Sequence, residues 1–169
     1  MKIIFLDIDG VLNSNIYINS LHGNFNCVDK VYQIDPKAVE LLNKITDATG
    51  AFIVVSSTWR IGFIHNRAGL RGLLIKANIT GKMLDITPVN NAIRGDQIAE
   101  WLRDHKDLNK NRLDKEIKSF IILDDNSDMG KLKKRLVQTD HWYGLQDSHV
   151  EKAIRMLNEN DSLPEKNND

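Results

Sequence analysis

Two carboxylates one residue apart, Asp7 and Asp9, close the apolar run Ile3-Ile4-Phe5-Leu6 near the start of the chain. A run of that kind reads as a buried strand of a parallel sheet. Ligands of open α/β sheets bind beyond the carboxyl ends of such strands, and residues i and i+2 share one side of a strand. Anionic groups that close are unfavourable unless a proton or cation separates them. A divalent metal with oxygen ligands is the natural solution. Two more apolar runs end in the same manner. Ala51 to Val55 enters Ser56-Ser57-Thr58-Trp59-Arg60, and Ser119 to Leu123 enters Asp124-Asp125-Asn126-Ser127. Parallel strands would bring these polar ends to one sheet edge, where residues 7, 56 and 125 can converge.

The elements that must position them follow from periodicity and punctuation. Lys2 to Leu6 is the first strand, and the polar stretch from Gly10 to Gln33 reads as a loop or small flap. Asp35-Pro36 supplies an N-cap with proline at the first helical position. Ala38, Leu41, Leu42, Ile45 and Ala48 then recur at helical spacing up to Gly50, a stop signal. A second helix is expected from Asn66 to Asn78 with Leu70, Leu73, Leu74 and Ala77 on one face. Pro88 interrupts, and Arg94-Gly95-Asp96 opens a third helix with Ile98, Ala99, Trp101 and Leu102 inward. Leu136 to Thr139 reads as a fourth, short strand. Val150, Ala153, Ile154 and Leu157 mark a closing helix, and 158–169 reads as a polar, disordered tail. Strands alternating with helices predict an α/β three-layer sandwich, a Rossmann-like parallel sheet with helices on both faces, in one domain over 1–157.

Composition narrows the function classes. With 169 residues, 41% apolar and 27% charged, the chain is long enough for a proper core and ordinary for a soluble globular protein. Net charge is zero, so no global field draws nucleic acid or an anionic membrane. Lys131, Lys133, Lys134 and Arg135 form a local basic cluster that reads as a solvated helix face or as a contact to macromolecular phosphate. Cys27 is the only cysteine, which excludes an intrachain disulfide, and nothing beside it favours a thiolate. The Gly-rich phosphate loop, the dinucleotide fingerprint and zinc-ligand spacing are all missing. The N-terminal apolar run is too short for a signal peptide, and no segment reaches the length of a membrane span. A cytoplasmic location and no membrane partner are expected; non-standard secretion leaves no readable mark. The sequence assigns no oligomeric state.

What remains is carboxylates, hydroxyls and a well-placed arginine, and their order resembles the haloacid dehalogenase-like (HAD) superfamily, mostly magnesium-dependent phosphatases. Leu6-Asp7-Ile8-Asp9-Gly10-Val11 matches the family's first motif and Val54-Val55-Ser56 its second. Arg94 stands for the basic residue of the third, and Ile122-Leu123-Asp124-Asp125 matches the acidic pair of the fourth. Ser57-Thr58-Trp59-Arg60 together with Leu123 to Asp128 resembles a small subgroup, some of whose members are predicted to act in RNA repair. The resemblance implies that Asp7 is the nucleophile of an aspartyl-phosphate intermediate and Asp9 the general acid and base. It implies that Ser56 binds a phosphoryl oxygen and that Arg94 neutralises the phosphate. Mg²⁺ would sit among Asp7, the Asp9 backbone carbonyl and Asp125, with Asp124 as an alternative ligand. Ser57 and Arg60 are candidate substrate contacts.

The chain departs from the family in ways that leave choices open. Arginine replaces the usual lysine, and its planar fork binds oxyanions differently; Lys82 and Lys131 compete for that role. Asp128 reads as a helix N-cap or a carboxylate behind the metal, Trp59 as a packing residue or a stacking platform. The gaps from Leu12 to Asp35 and from Trp59 to Arg94 hold a flap and no large cap. An open site suits a large phosphorylated substrate, a phosphoprotein or a nucleic-acid end. Two other classes compete. A receiver-like phosphoacceptor would place its serine or threonine after the phosphorylated aspartate's strand, not before the acidic pair. An inactive phosphate- or protein-binding relative would not need the full acidic set.

Overall fold

The computed structural model describes residues 1–21, 29–90, 92–106 and 116–159. The readings for Cys27 and for the tail from 160 onward lie outside these residues. The described strands are β1 (Lys2–Leu6), β2 (Phe52–Val55), β3 (Met83–Ile86), β4 (Ser119–Asp124) and β5 (Leu136–Gln138). The helices are α1 (Asn15–Ser20), α2 (Pro36–Thr49), α3 (Arg67–Lys76), α4 (Arg94–Lys106) and α5 (Asp147–Asn158), with 3-10 turns at Lys30–Gln33, Thr58–Phe63 and Gly130–Arg135.

All neighbouring strands pair in parallel, in the order β3-β2-β1-β4-β5. The chain walks outward from β1 through β2 to β3, then returns to the other side of β1 as β4. The direction reverses between β1 and β4, the topological switch point at which open α/β sheets bind ligands.

Both faces of the sheet are covered, which is why β1 and β4 are apolar without alternation. On one face Ile4, Leu6, Ile53 and Val55 pack with Leu41, Leu42 and Ile45 of α2, Leu70 and Leu74 of α3, and Ala153 and Leu157 of α5. On the other, Ile3, Phe5, Val54 and Ile122 meet Ile98, Trp101 and Leu102 of α4. There Phe5 stands edge-on to Trp101 and Phe120 at 5.4 and 5.8 Å, the arrangement that aromatic quadrupoles favour. The caps of α2 are those its sequence signals: the Asp35 carboxylate accepts from the Lys37 N–H, Pro36 opens the helix, and Gly50 closes it at φ 64°.

Beyond shifts of one or two residues at element ends, the structure differs from the sequence reading at β3 and in α4. β3 was not expected; it is an edge strand of four residues whose middle holds Asp85, so no apolar run announces it. Asp85 is accommodated because Trp101 Nε1 donates to it at 2.9 Å. Ala99, expected inward, is exposed, since α4 buries Ile98, Trp101 and Leu102. α5 runs one residue past the expected end, to Asn158. The small flap appears as α1 and the turn at Lys30–Gln33, and no helix among the described residues is long and apolar enough to cross a membrane.

Candidate active site at the switch point

Strand register aligns the functional residues. Leu6 pairs with Val55 on one side and Leu123 on the other, so the next residues, Asp7, Ser56 and Asp124, stand in one row at the carboxyl edge of the sheet. Backbone bonds hold that row beyond the strands, from Asp7 N to Leu123 O and from Ser56 N to Leu6 O, each 2.9 Å. Asp125, one step farther, joins the row through its side chain. The Asp7, Asp124 and Asp125 carboxylates each offer an oxygen, and these oxygens lie within 4.8 Å of one another.

A left-handed glycine makes room for this cluster. Gly10 has φ 73°, and a Cβ there would lie 2.5 Å from the Asp125 carboxyl. Both the backbone conformation and the space therefore require glycine.

Arg94 Nη1 bridges two of the carboxylates, 2.7 Å from Asp7 Oδ2 and 2.8 Å from Asp124 Oδ2. Burial opposes the charge of Arg94, but Asp7 and Asp124 outweigh it and keep the guanidinium more strongly protonated than usual. One cation does not balance the cluster. Burial, then the Asp7 charge, push the Asp124 carboxyl up to about 7 against the pull of Arg94. The same two causes raise Asp125, with His141 opposing them. A surplus of hard, crowded anionic oxygens is the environment that Mg²⁺ relieves, and the donor set fits it.

The two lysines expected to compete with Arg94 do not join this cluster. Lys82 precedes β3 at the opposite edge of the sheet, where its carbonyl accepts from Ile53 N. Lys131 is exposed in the turn Gly130–Arg135. Asp128 accepts the Gly95 N–H at 3.3 Å through its carbonyl and adds to the field on Arg94; Met129, not Asp128, caps the following turn.

The β2 exit is neutral at its surface and densely bonded beneath. Ser56 is fully buried and its Oγ has no hydrogen-bond partner among the described residues. An orphaned hydroxyl is costly, and this one lies in the row with Asp7. Ser57, a candidate substrate contact, caps the turn Thr58–Phe63 by accepting from Trp59 N. Arg60, the other candidate, is 3% exposed and directed into the protein. Its guanidinium donates to the carbonyls of Thr87, Ser56, Ser57 and Pro88 and to Gln97 Oε1, at 2.5 to 3.2 Å. Burial, helped by repulsion from Arg94, lowers it to about 10.

Asp9 stands apart from the cluster and is exposed. Trp59 Nε1 lies 3.0 Å from each of its carboxylate oxygens, and Asn13 Nδ2 donates to Oδ1 at 2.9 Å. Lys30 Nζ rests 5.0 Å from the centre of the Trp59 ring. Trp59 thus packs, as expected, and also orients Asp9, a role its position in the sequence does not announce. Chemically the site holds an oriented carboxylate open to solvent, a cluster of three carboxylates able to take a divalent cation, one bridging guanidinium and one unpartnered hydroxyl.

A family model described as "HAD domain in Swiss Army Knife RNA repair proteins" matches residues 3–150. No curated protein and no solved structure matches the chain.

Proposed function

The chain belongs to the family of HAD domains in Swiss Army Knife RNA repair proteins, and from that premise we propose that it is a Mg²⁺-dependent phosphomonoester hydrolase acting on the phosphorylated end of a nucleic acid. Membership supports a hydrolase of phosphatase type, and the family description favours a nucleic-acid end over a phosphoprotein. The observation that carries the chemistry is Arg94 bridging Asp7 and Asp124 at 2.7 and 2.8 Å, in the row that also holds the unpartnered Ser56 hydroxyl.

In this reading an Asp7 carboxylate oxygen attacks phosphorus, the ester P–O bond breaks, and the leaving alkoxide takes a proton from the Asp9 carboxyl. A water then attacks the phosphorus of the aspartyl-phosphate while Asp9 takes its proton, which releases phosphate and restores the Asp7 carboxylate. Ile8 N donates to Asp7 Oδ1 at 2.7 Å and fixes the nucleophile's orientation. Trp59 and Asn13 hold Asp9 where it exchanges protons with solvent. Ser56 Oγ and Arg94 bind the phosphoryl oxygens as charge develops on them. Asp7, Asp125, the Asp9 carbonyl and Asp124 would hold the Mg²⁺, whose charge offsets the repulsion between phosphate and carboxylate.

The test is phosphate release from p-nitrophenyl phosphate and from 3′- and 5′-phosphorylated oligonucleotides, with Mg²⁺ and with excess EDTA. The expected result is turnover that EDTA abolishes and Mg²⁺ restores. Acid quench during turnover should also show one phosphate's mass on the peptide that contains Asp7. Full activity in EDTA, or a phosphate trapped elsewhere, would overturn the reading.

A further inference from the structure

Large apolar side chains left in water on a protein of this size are informative when they cluster. Among the described residues nine are exposed, and all but Ile75 lie in connections that follow the carboxyl ends of strands. They sort by type. Apart from Ile16, which follows β1, the aliphatic ones in these connections, such as Ile61 and Val89, follow β2 and β3. The aromatic ones, Tyr32, Trp142 and Tyr143, follow β1 and β5.

The Trp142–Tyr143 pair sits on a turn built to present it. Asp140 Oδ1 accepts from Trp142 N at 2.8 Å, and Asp140 O accepts from Tyr143 N and Gly144 N at 3.1 and 2.7 Å. The carbonyls of His141 and Trp142 accept from Asn15 N and Ile16 N at the start of α1. Both ends of the turn are fastened to the Asp-x-Asp loop: Thr139 Oγ1 donates to Gly10 O at 2.7 Å, and Leu145 N to Val11 O at 2.9 Å. His141 is near enough for its charge to act on Asp125. Yet Trp142 is 50% exposed and Tyr143 64%. The backbone is held by hydrogen bonds, and the exposed rings stand at the edge of the molecule: the His141 ring lies 5.5 Å from that of Trp142.

We infer that Trp142 and Tyr143 are a stacking platform for the bases next to the terminal phosphate of single-stranded RNA. The inference rests on the phosphatase reading above for the position of that phosphate. A base offers a flat π-face to a fixed ring, and stacking of this kind tolerates any sequence. Because the turn is fixed beforehand, binding orders little of the protein. The aromatic rim is fastened to the loop that carries Asp7 and Asp9, so a strand whose end enters the site passes over it.

The experiment compares wild type, Trp142→Ala and Trp142→Phe on three substrates: p-nitrophenyl phosphate, a phosphorylated RNA hexamer, and the same hexamer with abasic residues at the two terminal positions. Trp142→Ala should raise KM for the intact hexamer roughly tenfold, leave its kcat unchanged, and leave both other substrates unchanged; Trp142→Phe should restore most of the loss. Equal effects on intact and abasic hexamers, or none on either, would overturn the platform. Turnover of p-nitrophenyl phosphate without any of either hexamer would overturn it while sparing the phosphatase chemistry. Anisotropy of a labelled hexamer reads the platform even if nothing is turned over: binding should weaken roughly tenfold in Trp142→Ala and in the abasic strand. A phosphopeptide bound more tightly than the hexamer, and lost with Trp142, would overturn RNA in favour of a protein.

Discussion

The exits of β2 and β4 each meet an arginine, Arg60 just past β2 and Arg94 at the start of α4, and they use it in opposite ways. Arg60 faces only neutral oxygens, four carbonyls and one amide. Four of its five bonds fasten backbone carbonyls, and the fifth goes to the Gln97 side chain. Arg94 faces carboxylates that outnumber it, and burial together with the Asp7 charge pushes Asp124 up to about 7. Around the Arg60 guanidinium the first exit is a satisfied network, which buried polar groups need in order to stabilise a fold. The second is unsatisfied by design of its own residues and becomes satisfied only when a cation and an anion arrive. The same side chain type is structural where its partners are neutral and complete, and chemical where they are charged and in excess.

The largest effect should come from the charged side. Asp7→Asn is expected to cut turnover about 10⁴-fold or more, measured by phosphate release, with circular dichroism unchanged; near-normal turnover would remove Asp7 as nucleophile. Next, Arg60→Ala should cost about 3–5 kcal/mol of stability, because several buried acceptors lose their donor at once. That is a fall of roughly 10 °C in Tm, and Arg60→Lys should recover little of it. A variant that melts like wild type and loses only phosphate affinity would break the contrast and return Arg60 to the substrate.

Arg94→Ala should strike the chemistry, lowering kcat/KM about 10²- to 10³-fold, while Lys82→Ala and Lys131→Ala stay near wild type. Trp59→Phe sharpens the contrast because Trp59 belongs to the β2 exit but serves Asp9. Turnover of an alkyl phosphate should fall about tenfold and that of p-nitrophenyl phosphate much less, since a good leaving group needs little protonation; equal losses would make Trp59 structural alone.

The smallest effect is in pH. In metal-free protein the folded Asp124 holds its proton between the ordinary carboxylate value of 3.8 and about 7, whereas the unfolded chain has released it. The native state then binds more protons, so stability should decline as pH rises through that window. Mg²⁺ should flatten the decline by favouring the ionised carboxylates. Arg60, lowered only to about 10, is silent over the same range. Urea unfolding at pH 5 and pH 8 with EDTA reads the difference, and stability that rises instead would contradict the crowded cluster.

Much of this was legible before the structure. The apolar runs of β1, β2 and β4 announce themselves because both faces of the sheet are covered, and the polar residues after them share an edge because the strands are parallel. β3 was hidden by Asp85, whose burial depends on Trp101, sixteen residues away and on another element. That omission had a consequence: without β3, nothing put Lys82 at the opposite edge, so it stayed a rival to Arg94. The destination of the Arg60 guanidinium was hidden for a related reason. Next to a strand end a cation looks like a phosphate ligand, and only the approach of Thr87, Pro88 and Gln97 shows otherwise. Trp59 reads from the sequence as packing or as a stacking platform; the structure buries it, and its indole N–H meets Asp9 fifty residues away.

Gly95 turns a steric detail into an electrical one. A Cβ at that position would sit 2.5 Å from the backbone carbon and oxygen of Met129, and a main chain cannot swing aside as a side chain can. Any larger residue must therefore push the first turn of α4 away from the segment Asp128–Met129, and Arg94, the residue before it, travels with that turn. A methyl group with no charge and no hydrogen bond would thus unseat the cation between Asp7 and Asp124 as surely as deleting it. The spacing of the active-site charges is held here by an absence of volume, so tolerance to substitution at this point measures clearance and not chemistry.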